Sequence, residues 1–177
     1  AAGEVASSSF ASIANRVSYF FDFKGPSLAL DTMCSSSLTA IHLACEDVRK
    51  GTVDVAVAGG VNLSLHPNKY LSLAQGNFTS TDGRCRSFGA GGDGYVPGEG
   101  VGAVLVKPLR DALRDGDQVY AVIKGSAINH GGKTNGYTVP NPLAQAELIH
   151  DVLERAHIDP ATIGYIETHG TGTSLGD

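Results

Sequence analysis

Four residues of this sequence have types and settings that could do chemistry: Cys34, His169 and a threonine pair, Thr171 and Thr173. Cys34 sits in Ser27-Leu-Ala-Leu-Asp-Thr-Met-Cys34-Ser-Ser-Ser-Leu38, where an apolar run gives way to a helical pattern. A sulfur at a helix start faces unpaired N–H groups and the positive end of the helix dipole, which favour a thiolate. A thiolate is the nucleophile that thioester chemistry requires. Read alone, such a cysteine is more often a small buried hydrophobe. Cys45 falls on the inward stripe of the same helix and reads as core. Cys85 lies between Arg84 and Arg86 and reads as part of a structural loop, although two flanking cations would also suit a reactive thiol.

His169 follows an apolar run and precedes Gly170-Thr-Gly-Thr173. The end of a strand aims side chains at the sheet edge, where α/β folds bind ligands. By itself His169 reads equally as a hydrogen-bonded structural histidine. Its two glycines permit close approach, and its two threonines offer hydroxyls to an amide-bearing ligand. His130, in Asn129-His-Gly-Gly132, is a weaker candidate; His42 reads as packed.

The elements that must place these groups follow from periodicity. Residues 7–21 predict a helix. Leu28 to Met33 predict a short buried strand, and the helix from Ser35 carries Leu38, Ile41, Cys45 and Val48 on one stripe, with Gly51 past its end. Val53–Ala58 predicts a second strand, completing a βαβ unit and implying a parallel sheet. Residues 62–100 read as a long turn-rich stretch with a short helix at 69–74. Val101–Val106 predicts a strand and 108–116 a short helix. A second series follows: a strand at Val119–Lys124, a polar loop at 129–142, a helix at 144–156, and a strand at Ile163–Thr168.

Composition narrows the class. The chain has 177 residues, 42% of them hydrophobic, and a net charge of −5. No basic cluster suggests nucleic acid. No apolar run reaches the ~18 residues of a membrane span. No basic-then-apolar leader opens the chain. Three cysteines without paired spacing point to a reducing compartment, hence the cytoplasm. No Cys or His pair has metal-ligand spacing. Gly89-Ala-Gly-Gly-Asp-Gly94 and Gly98-Glu-Gly-Val-Gly102 are not dinucleotide fingerprints, because a loop precedes and a strand follows. Both termini read as internal cuts of a longer polypeptide.

Several strings together resemble one family, the β-ketoacyl synthases of the thiolase fold, and within it the ketosynthase domains of modular polyketide synthases. They are Asp31-Thr-Met-Cys-Ser-Ser-Ser-Leu38, Gly59-Gly60, Thr81-Asp-Gly-Arg-Cys-Arg-Ser-Phe88, Asp93-Gly-Tyr-Val-Pro-Gly-Glu-Gly100, and Glu167-Thr-His-Gly-Thr-Gly-Thr173 with Gly176-Asp177. Pro97 stands where the family often has Arg.

The resemblance implies an α/β fold of layered αβαβα type, here incomplete. Residues 1–116 would form most of the N-terminal half and 117–177 the start of the C-terminal half. It implies that Cys34 carries the acyl chain as a thioester and that His169 is the first of two histidines serving decarboxylation and enolate stabilisation. Thr171 and Thr173 would contact the phosphopantetheine arm of an acyl carrier protein. The second histidine and a lysine would lie beyond Asp177, so the 177-residue piece alone is expected to be inactive. No metal or resident cofactor is implied. Expected partners are an acyl carrier protein, neighbouring synthase domains and a second copy in a homodimer. Asn129-His-Gly-Gly-Lys-Thr-Asn-Gly-Tyr-Thr-Val-Pro-Asn-Pro142 and His66-Pro-Asn-Lys-Tyr70 resemble bacterial synthases served by a separate acyltransferase. Three alternatives stay open: a non-elongating ketosynthase that only passes acyl chains, a cysteine-dependent thioester hydrolase, and a non-enzymatic interaction module in which Cys34 is structural.

Overall fold

The computed structural model describes residues 9–177. Among the described residues, five α-helices and two strands form in the order α1 (Ala11–Phe20), α2 (Ser36–Lys50), β1 (Ala56–Asn62), α3 (Asn68–Gln75), β2 (Gly100–Val106), α4 (Leu109–Asp115) and α5 (Pro142–Arg155). Short 3-10 turns occupy Met33–Ser35 and Pro160–Thr162. The first two residues of the helix expected over 7–21 lie outside the described residues.

Two units make up the chain: residues 1–60 with 103–120, and residues 61–102 with 121–177. β1 and β2 pair into a two-stranded sheet. Among the described residues, no helix is long and apolar enough to cross a membrane.

Helix ends follow the local chemistry. α2 stops at Gly51, whose φ of 71° lets Gly51 N–H donate to Val48 O and Thr52 N–H to Asp47 O. Arg49 and Lys50 in its last turn complement the negative end of the helix dipole. Gly116 ends α4 in the same left-handed way, at φ 73°. α5 starts two residues earlier than its apolar stripe suggests. Asn141 caps it, its Oδ1 accepting from Leu143 N–H (3.1 Å) and Ala144 N–H (3.3 Å), and Pro142 occupies the first turn, where it needs no N–H partner.

The strands depart from expectation. The segment Val53–Ala58 is shifted to Ala56–Asn62, while 101–106 holds as β2. The other three predicted strands do not form: 28–33, 119–124 and 163–168 have no ladder neighbour. Neither predicted βαβ series is therefore completed by hydrogen bonding within this chain. The reason is physical. Apolar, β-branched composition sets a preference for burial on a pleated surface, but a strand exists only where a second backbone takes its N–H and C=O groups. The burial expected for 28–33 fails with the pairing, since Leu28 is 66% exposed. Ala58 on β1 and Ala112 on α4 are the buried hydrophobic residues among those described.

Candidate active site

Within the first unit, Cys34 lies in the 3-10 turn Met33–Ser35 that leads directly into α2, and its side chain is exposed. The residue before it, Met33, has φ 58°, a left-handed conformation that costs a bulky residue of order 1–3 kcal/mol. Neighbouring side chains hold this turn. Met33 N–H donates to Asp31 Oδ1 at 2.8 Å, and Thr32 N–H donates to Ser36 Oγ at 2.9 Å. The Ser36 hydroxyl in turn donates to Met33 O at 2.7 Å. Thr32 Oγ1 pairs with Ser35 Oγ (2.9 Å) and Thr39 Oγ1 (3.1 Å). The hydroxyl-rich run around the cysteine thus braces a sharp turn in which Cys34 is exposed.

β1 supports this turn from behind. A Cβ at Gly60 would fall 3.0 Å from Ser37 Cβ, so the strand end approaches the first turn of α2 more closely than most side chains permit. Cys45, on the same helix, is half-buried. Burial pushes its thiol pKa up, as suits a packing residue.

His169, Thr171 and Thr173 belong to the second unit, and Cys34 to the first. His169 is exposed, at the end of an irregular segment. Gly170 and Gly172 take φ 52° and 70°, so the chain zigzags and brings the Thr171 and Thr173 hydroxyls to 3.1 Å. Two adjacent hydroxyls, each able to donate and accept, suit an amide-bearing ligand.

The segment 79–95 packs against this loop. Thr79 bridges Tyr95 in parallel fashion and Asp93 bridges Thr173 in antiparallel fashion. The Ser87 hydroxyl donates to Gly170 O, and Cys85 Sγ lies 3.6 Å from Thr171 O. A Cβ at Gly92 would stand 2.4 Å from Gly172 O, which is why that crossing is glycine on both sides. Asp177 closes the arrangement. Its Oδ2 accepts from Phe88 N–H at 2.7 Å and its Oδ1 from Gly172 N–H at 3.0 Å.

Arg86 grips Asp82 with two guanidinium nitrogens, at 3.0 and 2.6 Å. That contact first, and the Ser80 hydroxyl second, hold the Asp82 carboxyl down to about 2. Its folded value lies below the usual 3.8, so its stabilising contribution is complete above about 3.8 and is lost as pH falls through about 2. In a complete domain carrying this chain, Asp82→Asn should lower the urea midpoint at pH 7. The gap to wild type should narrow below pH 3.8; a gap that stays constant to pH 2 removes the pair from the stability of this loop. The strings around Asp82, Arg86, Asp93 and Asp177 stand out in the sequence only by resemblance. Their side-chain roles were not readable, because the partners of Asp93 and Asp177 come from distant parts of the chain.

The loop 129–142 folds over the start of α5. Asn129 donates to Ala144 O (2.8 Å) and Asn141 to Gly131 O (2.6 Å), while His130 Nδ1 accepts from Gly132 N–H (2.9 Å). A recess of about 560 Å³ opens beside it, lined by His130, Lys133, Tyr137 and Asn141 among others. His130 shapes its own loop here. Among the described residues, no group of three His, Cys, Asp or Glu side chains forms a metal cluster.

The family model for "Beta-ketoacyl synthase, N-terminal domain" matches residues 3–112, and that for the C-terminal domain matches 120–177. Polyketide synthase PksL of Bacillus subtilis (strain 168) is 70% identical over 166 residues, covering 94% of this chain and 4% of that protein. Polyketide synthase ThaG of Burkholderia thailandensis is 62% identical over 171 residues, covering 97% and 3%. The Streptomyces albus JA3453 oxazolomycin ketosynthase domain OzmH KS7 superposes with a TM-score of 0.95 at 67% identity, over 99% of this chain and 30% of that one. The ketosynthase from module 6 of the bacillaene synthase of Bacillus subtilis 168 gives 0.93 at 47% identity, over 96% and 30%. The chain thus spans about 4% of the first relative and 30% of the solved domains. At this likeness the thiolase-like α/β fold is shared even though three of the five predicted strands are unpaired among the described residues. Both family models and the two superpositions agree, and the chain belongs to the β-ketoacyl synthases, as a ketosynthase of the polyketide synthase type.

Proposed function

We propose that this chain carries the acyl-accepting cysteine and the first catalytic histidine of a ketosynthase that elongates polyketides. The exposed sulfur of Cys34, raised on a left-handed turn at the head of α2, carries the reading. The Cys34 thiolate attacks the thioester carbonyl of an acyl chain borne on the phosphopantetheine of an acyl carrier protein. The pantetheine thiolate leaves, and the acyl group stays on sulfur. Thioester-to-thioester exchange is nearly isoenergetic, so the step is reversible and suits Cys better than Ser. A malonyl-type extender then loses carbon dioxide. Its enolate carbon attacks the Cys34 thioester, forms the new carbon–carbon bond and expels the thiolate.

His169 donates to the enolate oxygen as charge develops there. Thr171 and Thr173 contact the amides of the pantetheine arm. This scheme needs no resident cofactor or metal; the arm is part of the substrate. The polyketide synthases that match the chain are the basis for expecting an acyl carrier protein and neighbouring synthase domains, and family likeness alone supports a homodimer. The three free cysteines suit the cytoplasm. The strings at 66–70 and 129–142 support a synthase served by a separate acyltransferase. Because the chain is 30% of a solved domain, its activity is read in a complete domain and not in the isolated 177 residues.

The test is acyl loading followed by intact and peptide mass spectrometry. An acyl adduct should map to the peptide holding Cys34, and Cys34→Ala should abolish it. An adduct on Cys85, or none in a folded domain whose Cys34 also resists iodoacetamide, overturns the reading. Rapid loss of the acyl group to water would point to the hydrolase alternative, and stable loading without condensation to the non-elongating one.

A further inference from the structure

Asp177 makes two contacts that no reading of Cys34, His169 or the threonines uses. Its two carboxylate oxygens go to two different loops: Phe88 N–H at 2.7 Å and Gly172 N–H at 3.0 Å. Both of those residues are in the left-handed region, Phe88 at φ 56° and Gly172 at φ 70°. For Phe88, a bulky residue, that conformation persists only where its surroundings hold it. Gly172 lies between Thr171 and Thr173, and the direction of its N–H fixes the peptide plane that follows Thr171. A rotation of that plane would separate the two hydroxyls that now stand 3.1 Å apart. The same crossing is too tight to shift sideways, since a Cβ at Gly172 would meet Arg86 N at 2.8 Å.

We propose that Asp177 is a positioning residue: its carboxylate clamps residues 86–88 to Gly172 and so keeps Thr171 and Thr173 aligned for the pantetheine arm. A charged acceptor shared by two N–H donors is stronger than neutral hydrogen bonds, and one of those donors, Gly172, is the residue between the two threonines. The inference rests on the assignment of the threonines to the arm.

The experiment uses a complete ketosynthase domain carrying this chain. Loading of Cys34 is measured with an acyl-pantetheine thioester and with the same acyl group on ethanethiol, which lacks the arm. Asp177→Ala should raise KM for the pantetheine thioester by roughly 10-fold or more, the scale of losing hydrogen bonds to a charged group. The maximal loading rate, the ethanethiol reaction and iodoacetamide alkylation of Cys34 should stay within about twofold of wild type if positioning alone is lost. Equal effects on both thioesters mean a general structural role and overturn the proposal. Asp177→Asn keeps one carbonyl acceptor and should fall between. If Asp177→Ala does not fold, wild-type KM in Asp177→Asn overturns the proposal and a selective rise in KM supports it. Thr171→Val with Thr173→Val separates the two claims. Normal pantetheine loading there overturns the threonine assignment and the clamp's purpose with it. Impaired loading there, with normal loading in folded Asp177→Ala, overturns the role of Asp177 alone.

Discussion

If His169 has the role proposed above, replacing it by Ala in a complete domain should leave acyl loading on Cys34 intact and abolish carbon–carbon bond formation. The two steps differ in where charge appears. In the proposed reaction, loading transfers an acyl group between two sulfurs, a step for which a helix start beside the cysteine is the expected electrostatic support. Decarboxylation of the extender develops a full negative charge on an enolate oxygen, which needs a donor aimed at it. Removing one donor of that kind costs about 10²–10³ in kcat in other enzymes. His169 is exposed and directly precedes a loop that carries two left-handed glycines.

The measurement separates three rates: acyl-adduct formation by mass spectrometry, carbon dioxide release from the extender, and product formation. Loss of the second and third with the first preserved is the expected pattern. His169→Gln retains an N–H donor and should recover part of the decarboxylation. Unchanged condensation in His169→Ala removes the residue from the mechanism. If instead the wild type sheds its acyl group to water and His169→Ala slows that loss, the histidine serves as a general base and the chain is a hydrolase.

Local chemistry was legible in the sequence wherever a feature depended on residues close together. The start of α2, its end at Gly51, the end of α4 at Gly116 and the helix at 68–75 all follow from short-range signals. Cys34 was legible for the same reason, since a helix start is a local fact. Its sharp backbone was not, because Met33 gives no sign of a positive φ; the bracing by Asp31 and Ser36 does that. The three unpaired strands were misread because a ladder needs a second backbone, and apolar alternation says nothing about which one. The loop clamp was invisible for a related reason. Phe88 and Asp177 are 89 residues apart, and only folding gives the carboxylate its two donors. Resemblance flagged those strings, but geometry supplied what each residue holds.

The crossing of Gly92 and Gly172 leads to the second large effect. Gly92→Ala should disable pantetheine-dependent loading and lower the melting temperature of a complete domain, whereas Gly98→Ala should do neither. A Cβ at Gly92 would lie 2.4 Å from Gly172 O, 3.0 Å from Gly172 C and 3.2 Å from Arg86 O. All three are backbone atoms, so no rotamer change relieves the clash, and the loop carrying the threonines must move. Overpacking of that kind costs typically 1–3 kcal/mol. The displacement falls on the residue between Thr171 and Thr173, and if these hydroxyls hold the arm as proposed, an error of about 1 Å in positioning can cost ~10²-fold in rate. Gly98 offers the contrast, with open space where its Cβ would go and no left-handed backbone. Thermal melts and pantetheine loading of both variants decide the matter. A Gly92→Ala protein that melts and loads like wild type would mean that the two loops are not in contact in the working enzyme. A stable Gly92→Ala protein with impaired loading would mean that the crossing serves the threonine pair more than the fold.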